Sequence, residues 1–298
     1  MNNSKMQKTV FFIMTKKGLY AIEKFITEFG SGSIDFVISS RDSFVLKDYY
    51  DEIAALCEAN NIRLCDRKDN FSLKDKIVFA VGWKWLIDAA EGSLYVFHDS
   101  LLPRYRGFST LVSQLLNKEE SLGVTCFCGQ AVYDTGGIVS SAKIDVAYPV
   151  KVENAIDEIC PLYSLLLNEL FKKLLAGEKI VPHGQNERLA TYSVWRDEED
   201  YNIDWQQDSV YIRRFIDSVG FPYRGAKTTA GGRVVRITNA EANLDYIVEN
   251  RGAGKVLFVE DGFPVVICGK GMLKITAAYD ELTGESIIPF KHFRTRFH

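Results

Sequence analysis

The sequence predicts an α/β domain followed by a smaller all-β module, and two observations support this prediction. In the first half of the chain, short continuous apolar runs alternate with stretches of helical spacing, which indicates a mostly parallel sheet with helices on both faces. From Tyr223 the pattern changes to short strands joined by glycine-containing turns. The chain has 298 residues, enough for two domains, which we predict over 1–190 and 191–298.

The predicted strands of the first domain are the apolar runs Val10–Met14, Ile34–Ser39, Ile77–Val81, Leu94–Phe97 and Gly123–Cys128. Helical spacing predicts helices over 19–26, 49–60 and 155–175. The predicted sheet is Rossmann-like, but no GxGxxG follows its first strand, so no dinucleotide site is expected. Ligands of such sheets bind beyond the carboxyl ends of the strands, so we expect the site after Val81, Phe97 and Cys128.

The second module is predicted to resemble a small open barrel. Its turns are marked by Gly231-Gly232, Asp261-Gly262 and Gly269-Lys270-Gly271. The chain ends in FRTRFH, which carries two arginines and two aromatic residues. The sequence leaves open whether this segment is a loose tail or a docked strand.

Charge and cysteine content argue against several kinds of partner. The net charge is −3, without the basic surplus typical of nucleic-acid-binding proteins, so no nucleic-acid partner is expected. Val10–Met14 is too short for a secretory leader or a membrane span, which predicts a cytoplasmic protein without a membrane partner. None of the six cysteines forms a CxxC pair, so reduced thiols are predicted. Cys126 and Cys128 share one face of a strand, where packing is favoured over metal binding, and no metal is expected.

One segment carries the clearest chemical signal. HDSLLPRYRG begins at His98, directly after a predicted apolar strand. A histidine in that place is often a packed, hydrogen-bonded residue, but its position at a carboxyl end favours function. The segment resembles the HPSLLPKYRG signature of the folate-dependent formyltransferases. That family includes methionyl-tRNA formyltransferase, the glycinamide ribonucleotide enzyme and the nucleotide-sugar N-formyltransferases.

The resemblance continues along the chain in the family's order and spacing, from about residue 75 to about residue 280. It is carried by Gly123-Val124-Thr125, by Tyr133-Asp134-Thr135-Gly136 with Ile138, by Ile203-Asp204-Trp205 and by Pro222-Tyr223-Arg224-Gly225-Ala226. The last two segments resemble the C-terminal module of the family members that have one. The resemblance therefore covers both predicted domains.

The resemblance implies catalytic roles for His98 and Asp134. In the family, chemistry rests on an Asn-x-His pair and an Asp, and these two residues match the His and the Asp. An amine would attack the formyl carbon of 10-formyltetrahydrofolate, and His98 would stabilise the oxyanion as a cation or shuttle a proton. Asp134 would hold His98 and relay protons, although Asp-Thr-Gly is also ordinary turn chemistry.

The sequence departs from the family at Val96, which stands where the family has the Asn of that pair. Val has no donor for the oxyanion, and loss of one such donor typically costs about a hundred- to a thousandfold in rate. Three interpretations remain open. His98 and backbone amides suffice, another side chain such as Ser100 substitutes, or the activity is lost or changed. The last would make the chain a non-catalytic relative that binds folate or a nucleotide sugar.

The resemblance also implies binding residues. The folate would lie against Gly82, Trp83, Leu86, Ala131, Val132 and Tyr133. Packing in the core is an equally good interpretation of Trp83 and of Trp85, two residues further on. The predicted substrate contacts are Lys84, Ser100, Arg106, Trp195, Arg196, Tyr201 and Tyr223. Among these, Tyr223 is expected near the base of a nucleotide, because aromatic rings stack on bases.

A nucleotide-linked amino sugar is predicted as the acceptor, with methionyl-tRNA as the alternative. A tRNA enzyme must hold a polyanion, yet the densest basic groups, Lys172-Lys173 and Arg213-Arg214, are modest. The passage from Trp195 to Tyr201 is acidic and resembles the linker of the nucleotide-sugar enzymes. By that resemblance the protein would be a homodimer in lipopolysaccharide or O-antigen biosynthesis.

Overall fold

The computed structural model describes residues 8–88, 93–243 and 245–298. The strands are β1 (Thr9–Ile13), β2 (Ile34–Ser39), β3 (Arg63–Asp66), β4 (Ile77–Val81), β5 (Ser93–His98), β6 (Arg106–Gly107), β7 (Ser121–Cys128), β8 (Ile138–Asp145), β9 (Tyr192–Ser193), β10 (Ala226–Ala230), β11 (Arg233–Asn243), β12 (Val256–Glu260), β13 (Phe263–Ile267) and β14 (Met272–Asp280). The helices are α1 (Thr15–Phe29), α2 (Tyr50–Ala59), α3 (Thr110–Leu116), α4 (Val152–Leu175) and α5 (Ser209–Ser218).

Seven strands form the main sheet in the order β3-β2-β1-β4-β5-β7-β8. The five from β3 to β5 are parallel, and β7 is antiparallel to both of its neighbours. The predicted fold class is thereby confirmed. The chain moves outward from β1 through β2 to β3 and then returns to β4 on the other side of β1, so the strand order reverses between β1 and β4. Ligands of open α/β sheets bind at such a reversal.

The antiparallel direction of β7 corrects one expectation about the site. His98 lies opposite Thr125, and Tyr95 lies opposite Cys128. The carboxyl end of β7 at Cys128 is therefore at the far end of β5 from His98. The loop after β7 nevertheless returns along the sheet, and its residue Asp134 reaches His98.

The two faces of the main sheet are covered differently. Helices α1, α2 and α4 pack on one face, where the rings of Phe25 and Phe171 lie 4.8 Å apart and join α1 to α4. The other face carries Phe12, Val78 and Ala80, among others. Its covering side chains come from the connections after β3 and β4, at Phe71, Leu73, Trp83 and Ile87, and not from a helix of the described residues. The prediction of helices on both faces is met on the first face only.

The C-terminal module is all-β, as the sequence predicts, and it forms a five-stranded antiparallel sheet in the order β10-β11-β14-β13-β12. The end of the chain resolves the question of the FRTRFH segment, because it hydrogen-bonds to both edges of this sheet. Thr229 of β10 exchanges backbone hydrogen bonds with His298, and Val256 of β12 donates to the carbonyl of Thr295. Phe297 is 1% exposed, so the segment is docked.

Helix α5 connects the two parts of the chain. It packs against β11 and β14 on one side and against α3 on the other. Arg214 Nε donates to the Leu116 carbonyl at 3.0 Å, at the end of α3. Buried side chains of both parts belong to one continuous apolar cluster. None of the helices within the described ranges has the length and apolar character needed to cross a membrane.

Candidate active site at the carboxyl ends of the parallel strands

His98 and Asp134 lie side by side at the end of β5. His98 Nδ1 is 3.6 Å from Asp134 Oδ2, and both side chains are about 10% exposed. His98 Nε2 lies 2.8 Å from the carbonyl oxygen of Tyr105. Since a carbonyl can only accept, Nε2 carries a hydrogen, and Nδ1 is the nitrogen that faces the carboxylate. In the neutral ring, Nδ1 and Oδ2 are therefore two acceptors facing the same space.

The loop after His98 folds back to support this pair. Tyr105 is fixed at both ends, because its N–H donates to Thr191 Oγ1 at 2.9 Å and its hydroxyl donates to Glu119 at 2.5 Å. Two residues later the Gly107 N–H donates to Asp134 Oδ2 at 2.7 Å. The same loop thus orients the imidazole with a carbonyl and the carboxylate with an N–H.

Gly107 is a loop residue at which any side chain would disrupt this support. Its φ is +102°, and an added Cβ would lie 2.4 Å from the Ser193 carbonyl oxygen. We expect Gly107→Ala to shift the N–H away from Asp134, to lower the catalytic activity of the site, and to cost about 1–3 kcal/mol of stability from backbone strain. Gly177→Ala is the control, because Gly177 also has positive φ (+69°) but nothing lies within 4 Å of its Cβ position. Equal activity losses in both variants would argue against a supporting role for Gly107.

The residue that follows His98 takes part in a buried ion pair. Lys17 in the first turn of α1 bonds to the Asp99 carboxylate, and Tyr163 of α4 donates its hydroxyl to the same group. Burial lowers the pKa of Lys17, but the attraction of Asp99, its hydrogen bond and Tyr223 together outweigh it, so the net pKa is raised. This pair connects α1 to the residue that directly follows His98.

Several charged side chains influence the hydroxyl of Tyr223. Burial raises the pKa of its hydroxyl, Asp99 and Asp42 raise it further, and Lys17 and Arg196 act in the opposite direction. All four charges therefore lie within electrostatic reach of that hydroxyl. Lys84, which follows β4, forms an ion pair with Asp42. The structure thus brings Lys84, Arg196 and Tyr223, three predicted substrate contacts, to one region beside Asp99.

A pocket opens next to Tyr223, between the first domain and the C-terminal module. It encloses about 430 Å³ of empty space, including open solvent at its mouth. Tyr49, Phe221 and Tyr223 supply aromatic surface. Lys16, Lys17 and Lys47 also line the pocket, each paired with a carboxylate, and Glu153 lines it as well. Thr15 also lines it, and Thr15 Oγ1 is shielded from solvent without a hydrogen-bond partner among the described residues.

The remaining linker residues predicted as substrate contacts differ in exposure. Tyr201 is 8% exposed, and burial raises its pKa to about 12. Arg196 Nε is shielded and has no partner within the described part of the chain, while its Nη1 lies 3.4 Å from the Asp200 carbonyl oxygen. Trp195 is 63% exposed. Arg196 therefore retains hydrogen-bonding capacity close to Tyr223.

Two predicted substrate contacts point into the protein. Ser100 is fully buried, and its hydroxyl donates to the Arg104 carbonyl at 2.7 Å. Arg106 is 1% exposed and holds Gln185 and Glu187 through its guanidinium. Gln185 in turn donates to the carbonyl of Asp134 at 2.8 Å. These contacts give Ser100 and Arg106 supporting positions in the loop, where their polar groups are bonded to the protein itself.

The residues predicted to meet the folate form two neighbouring edges. Gly82 has a φ of +65°, and an added Cβ would lie 2.6 Å from the Met14 carbonyl oxygen, so only glycine fits this strand end. Leu86 is 52% exposed, and Val132 and Tyr133 of the other edge are 64% and 43% exposed. Ala131 is also exposed. Exposed apolar side chains on both sides of the His98–Asp134 pair suit a flat aromatic ligand.

The sequence reasoning missed Lys17, Asp99 and Asp42. Asp99 adjoins His98 inside the motif and could have been suspected from that position. Lys17 and Asp42 follow β1 and β2, so the rule that ligands bind at the carboxyl ends of parallel strands was the available signal. Their pairing with Asp99 and Lys84 depends on the fold and has no sequence signature.

Comparison with known proteins agrees with this geometry. The "Formyl transferase" family profile matches residues 83–159, and the "Formyl transferase, C-terminal domain" profile matches residues 196–288. Together they cover more than half of the chain and include both His98 and Asp134. The chain belongs to the formyltransferase family. The resemblance inferred from the motifs is confirmed.

Individual formyltransferases and related proteins share part of the sequence or the fold. Methionyl-tRNA formyltransferase of Caldanaerobacter subterraneus subsp. tengcongensis is 30% identical over 187 residues, which are 62% of this chain and 58% of that protein. A Helicobacter canadensis N-formyltransferase, solved with folinic acid and dTDP-3-aminofucose, is 16% identical with a TM-score of 0.68, covering 92% of this chain and all of its own. Aquifex aeolicus HypX, solved with tetrahydrofolic acid, is 17% identical with a TM-score of 0.63, covering 95% of this chain and 45% of its own. At 16% and 17% sequence identity, the structural likeness of the last two proteins shows a shared fold alone.

Within residues 8–88, 93–243 and 245–298, no three His, Cys, Asp or Glu side chains are grouped so as to hold a metal ion. The six cysteines are unpaired, and burial raises the pKa of Cys126 strongly. Cys126 packs in the apolar core of the first domain.

Proposed function

We propose that this protein is an N-formyltransferase that moves the formyl group of 10-formyltetrahydrofolate to the primary amine of a nucleotide-linked amino sugar. The observation that carries the proposal is the His98–Asp134 pair, whose Nδ1 and Oδ2 face each other at 3.6 Å. A nitrogen with two hydrogens that lies to one side of the pair can donate to both acceptors at hydrogen-bond distance. A primary amine is such a nitrogen.

The pair would remove the proton that the amine must lose. His98 is held by the Tyr105 carbonyl with its Nε2–H, so Nδ1 is the free basic atom. The lone pair of Nδ1 can accept a proton from the attacking amine. The Asp134 carboxylate stabilises the imidazolium that results and is itself held by the Gly107 N–H. This geometry favours proton shuttling by His98 over stabilisation of the oxyanion by a cationic His98.

The folate would occupy the two edges that flank this pair. Gly82, Trp83 and Leu86 form one edge, and Ala131, Val132 and Tyr133 form the other. Within the described residues the backbone groups of 83–87 make no hydrogen bond to other backbone, so they are available to a pterin edge. Tyr133 rests on Phe108 with ring centroids 5.4 Å apart, which places an aromatic surface beside the site.

The nucleotide sugar would enter from the pocket beside Tyr223. Its aromatic lining suits a base, and Lys16, Lys17 and Lys47 with nearby Arg196 suit a diphosphate. Lys17 forms the inner wall and bonds to Asp99, the residue next to His98. A sugar amine attached to a nucleotide in this pocket would be directed toward the catalytic pair. Lys84, Tyr201 and Trp195 would complete the edge of this site.

The alternative acceptor is methionyl-tRNA, because the curated relatives carry that name. The chain spans 58–64% of the length of these two relatives. Against this alternative stands the net charge of −3, since a polyanion is held by clustered basic groups. A third possibility is a non-catalytic relative that binds folate or a nucleotide sugar, on account of Val96.

As part of the main proposal, the protein would act in the cytoplasm, in keeping with its six unpaired thiols. It would be a homodimer that serves lipopolysaccharide or O-antigen biosynthesis.

A transfer assay separates these possibilities. Purified protein is incubated with 10-formyltetrahydrofolate and each of a panel of dTDP-, UDP- and GDP-linked amino sugars, and with charged initiator tRNA. Mass spectrometry follows the gain of one CO by the acceptor. We expect a gain on one nucleotide sugar, because the pocket combines aromatic and cationic groups. A gain on tRNA alone would favour the alternative, and folate binding without any single-turnover transfer would favour the binder.

A further inference from the structure

The transition state of formyl transfer needs a hydrogen-bond donor that neither Val96 nor neutral His98 supplies. As the amine attacks, negative charge develops on the formyl oxygen, and preorganised donors stabilise that charge. The Val96 side chain has no donor, and it packs against the apolar cluster of the second sheet face. The Nε2–H of His98 is committed to the Tyr105 carbonyl. Ser100, the substitute that the sequence suggested, donates to Arg104 and is unavailable.

An uncommitted donor lies in the same cluster as Val96. The Nε1–H of Trp83 is shielded from solvent, and no acceptor for it exists among the described residues. Buried tryptophan N–H groups usually find a partner, since an unsatisfied buried donor is unfavourable. Trp83 and Val96 both pack against the cluster that contains Phe12 and Ala80. The indole is therefore a donor on the face of the sheet that Val96 and His98 share.

The backbone and the neighbouring rings fix the position of this indole. Trp83 follows Gly82 at the carboxyl end of β4, and β4 runs parallel to β5 with Val81 opposite Phe97. The chain thus leaves β4 beside His98. The Trp83 ring meets Phe12 edge-on at 5.1 Å and Trp85 edge-on at 5.0 Å between centroids. A donor that is preorganised in this way does not need to reorient as charge develops.

We propose that the Trp83 indole N–H donates a hydrogen bond to the formyl oxygen in the transition state, in place of the asparagine amide that Val96 lacks. This rests on the proposed function. The amine lone pair forms the new C–N bond, and the C=O π electrons move to the oxygen that Trp83 holds. The oxyanion then collapses and the bond from carbon to folate N10 breaks. One proton passes from the amine to N10, with His98 and Asp134 as carriers.

Trp83→Phe tests this, because it keeps an aromatic ring and removes the N–H. We expect kcat to fall about 10²–10³-fold, the typical effect of losing one oxyanion donor. The dissociation constant of 5-formyltetrahydrofolate, measured by calorimetry, should change less than threefold, about the range of a neutral substitution. Trp85→Phe is the matched control, because Trp85 packs on the same ring but its N–H is not an unpartnered buried donor. It should retain wild-type kcat.

A rescue separates a donor from a packing residue. In the Trp83→Phe background, Val96→Asn restores an amide N–H two residues before His98, and we expect it to recover at least about tenfold in kcat. In the wild type the same change should bring little gain, since the oxyanion is already held. If Trp83→Phe keeps its kcat or loses only folate affinity, the proposal is wrong. A large gain from Val96→Asn in the wild type would equally overturn it, by showing an unfilled site. A wild type without transfer to any acceptor would defeat the proposed function and this inference together.

Discussion

Replacing Asp134 with Asn is expected to lower kcat for formyl transfer about 10²–10⁴-fold, the range associated with positioned acid–base groups. The change is nearly isosteric, and the amide oxygen can still accept from the Gly107 N–H, which now reaches Oδ2 at 2.7 Å. What is lost is the negative charge 3.6 Å from His98 Nδ1. An imidazolium formed by taking the amine proton would then have no counter-charge. The melting temperature should change little, because the supporting hydrogen bond remains.

His98→Ala should show a loss of the same order, because His98 and Asp134 act on one proton. For the same reason the double variant should be little worse than either single variant. His183→Ala is the control, since His183 is exposed and contacts Ile138 through its backbone. The measurement is single-turnover transfer at saturating folate, with the acceptor identified by the assay above. A rate within fivefold of wild type for Asp134→Asn would show that Asp134 only forms the turn at Asp-Thr-Gly and takes no part in catalysis.

The parts of the fold that the sequence predicts are those with continuous apolar runs. The strands β1, β2, β4, β5 and β7 lie where the runs predict them, and all five are interior strands of the main sheet with a neighbour on each side. The predictions missed β3 and β8, which are the two edges of the main sheet. Along β8 the residues are half-buried or exposed, so no apolar run marks this strand. Edge strands have one neighbour and need fewer apolar residues.

The direction of a strand and the covering of a face were beyond the sequence pattern. An apolar run is the same whether β7 is parallel or antiparallel, and only the register of Thr125 against His98 decides it. The second face of the main sheet is covered by Phe71, Leu73 and Trp83 from connections without helical spacing. Such coverings depend on where a connection travels after its strand ends. Local periodicity carries no information about that path.

The candidate site divides in the same way. His98 and Asp134 belong to a motif with specific spacing, so they could be named in advance, and the structure places them together. Ser100 and Arg106 come from the same motif, yet both turn inward, because the loop that carries them needs internal hydrogen bonds of its own. Motif membership therefore identifies a loop as important without separating its binding residues from its supporting ones. That separation required burial and partners.

The buried Lys17–Asp99 pair leads to the second large expected effect. Replacing Lys17 with Met keeps much of the stem but leaves the Asp99 carboxylate without its cation, at a place where the two side chains are only 10% and 14% exposed. Breaking a buried pair from one side costs about 3–5 kcal/mol. The raised pKa of Lys17 keeps the pair charged through neutral pH. Its contribution is full below the ordinary lysine pKa and is lost only as the pH rises through the raised one.

A neighbouring lysine provides the matched control for this prediction. Lys16 pairs with Asp157, and those side chains are 34% and 49% exposed, so Lys16→Met should cost no more than about 1 kcal/mol. Urea unfolding at neutral pH measures both. Combining Lys17→Met with Asp99→Asn should recover part of the loss, because the uncompensated charge is then removed. If Lys17→Met and Lys16→Met lower the free energy of unfolding equally, water screens the Lys17–Asp99 pair. The pair then does not form a rigid boundary between the Tyr223 pocket and His98.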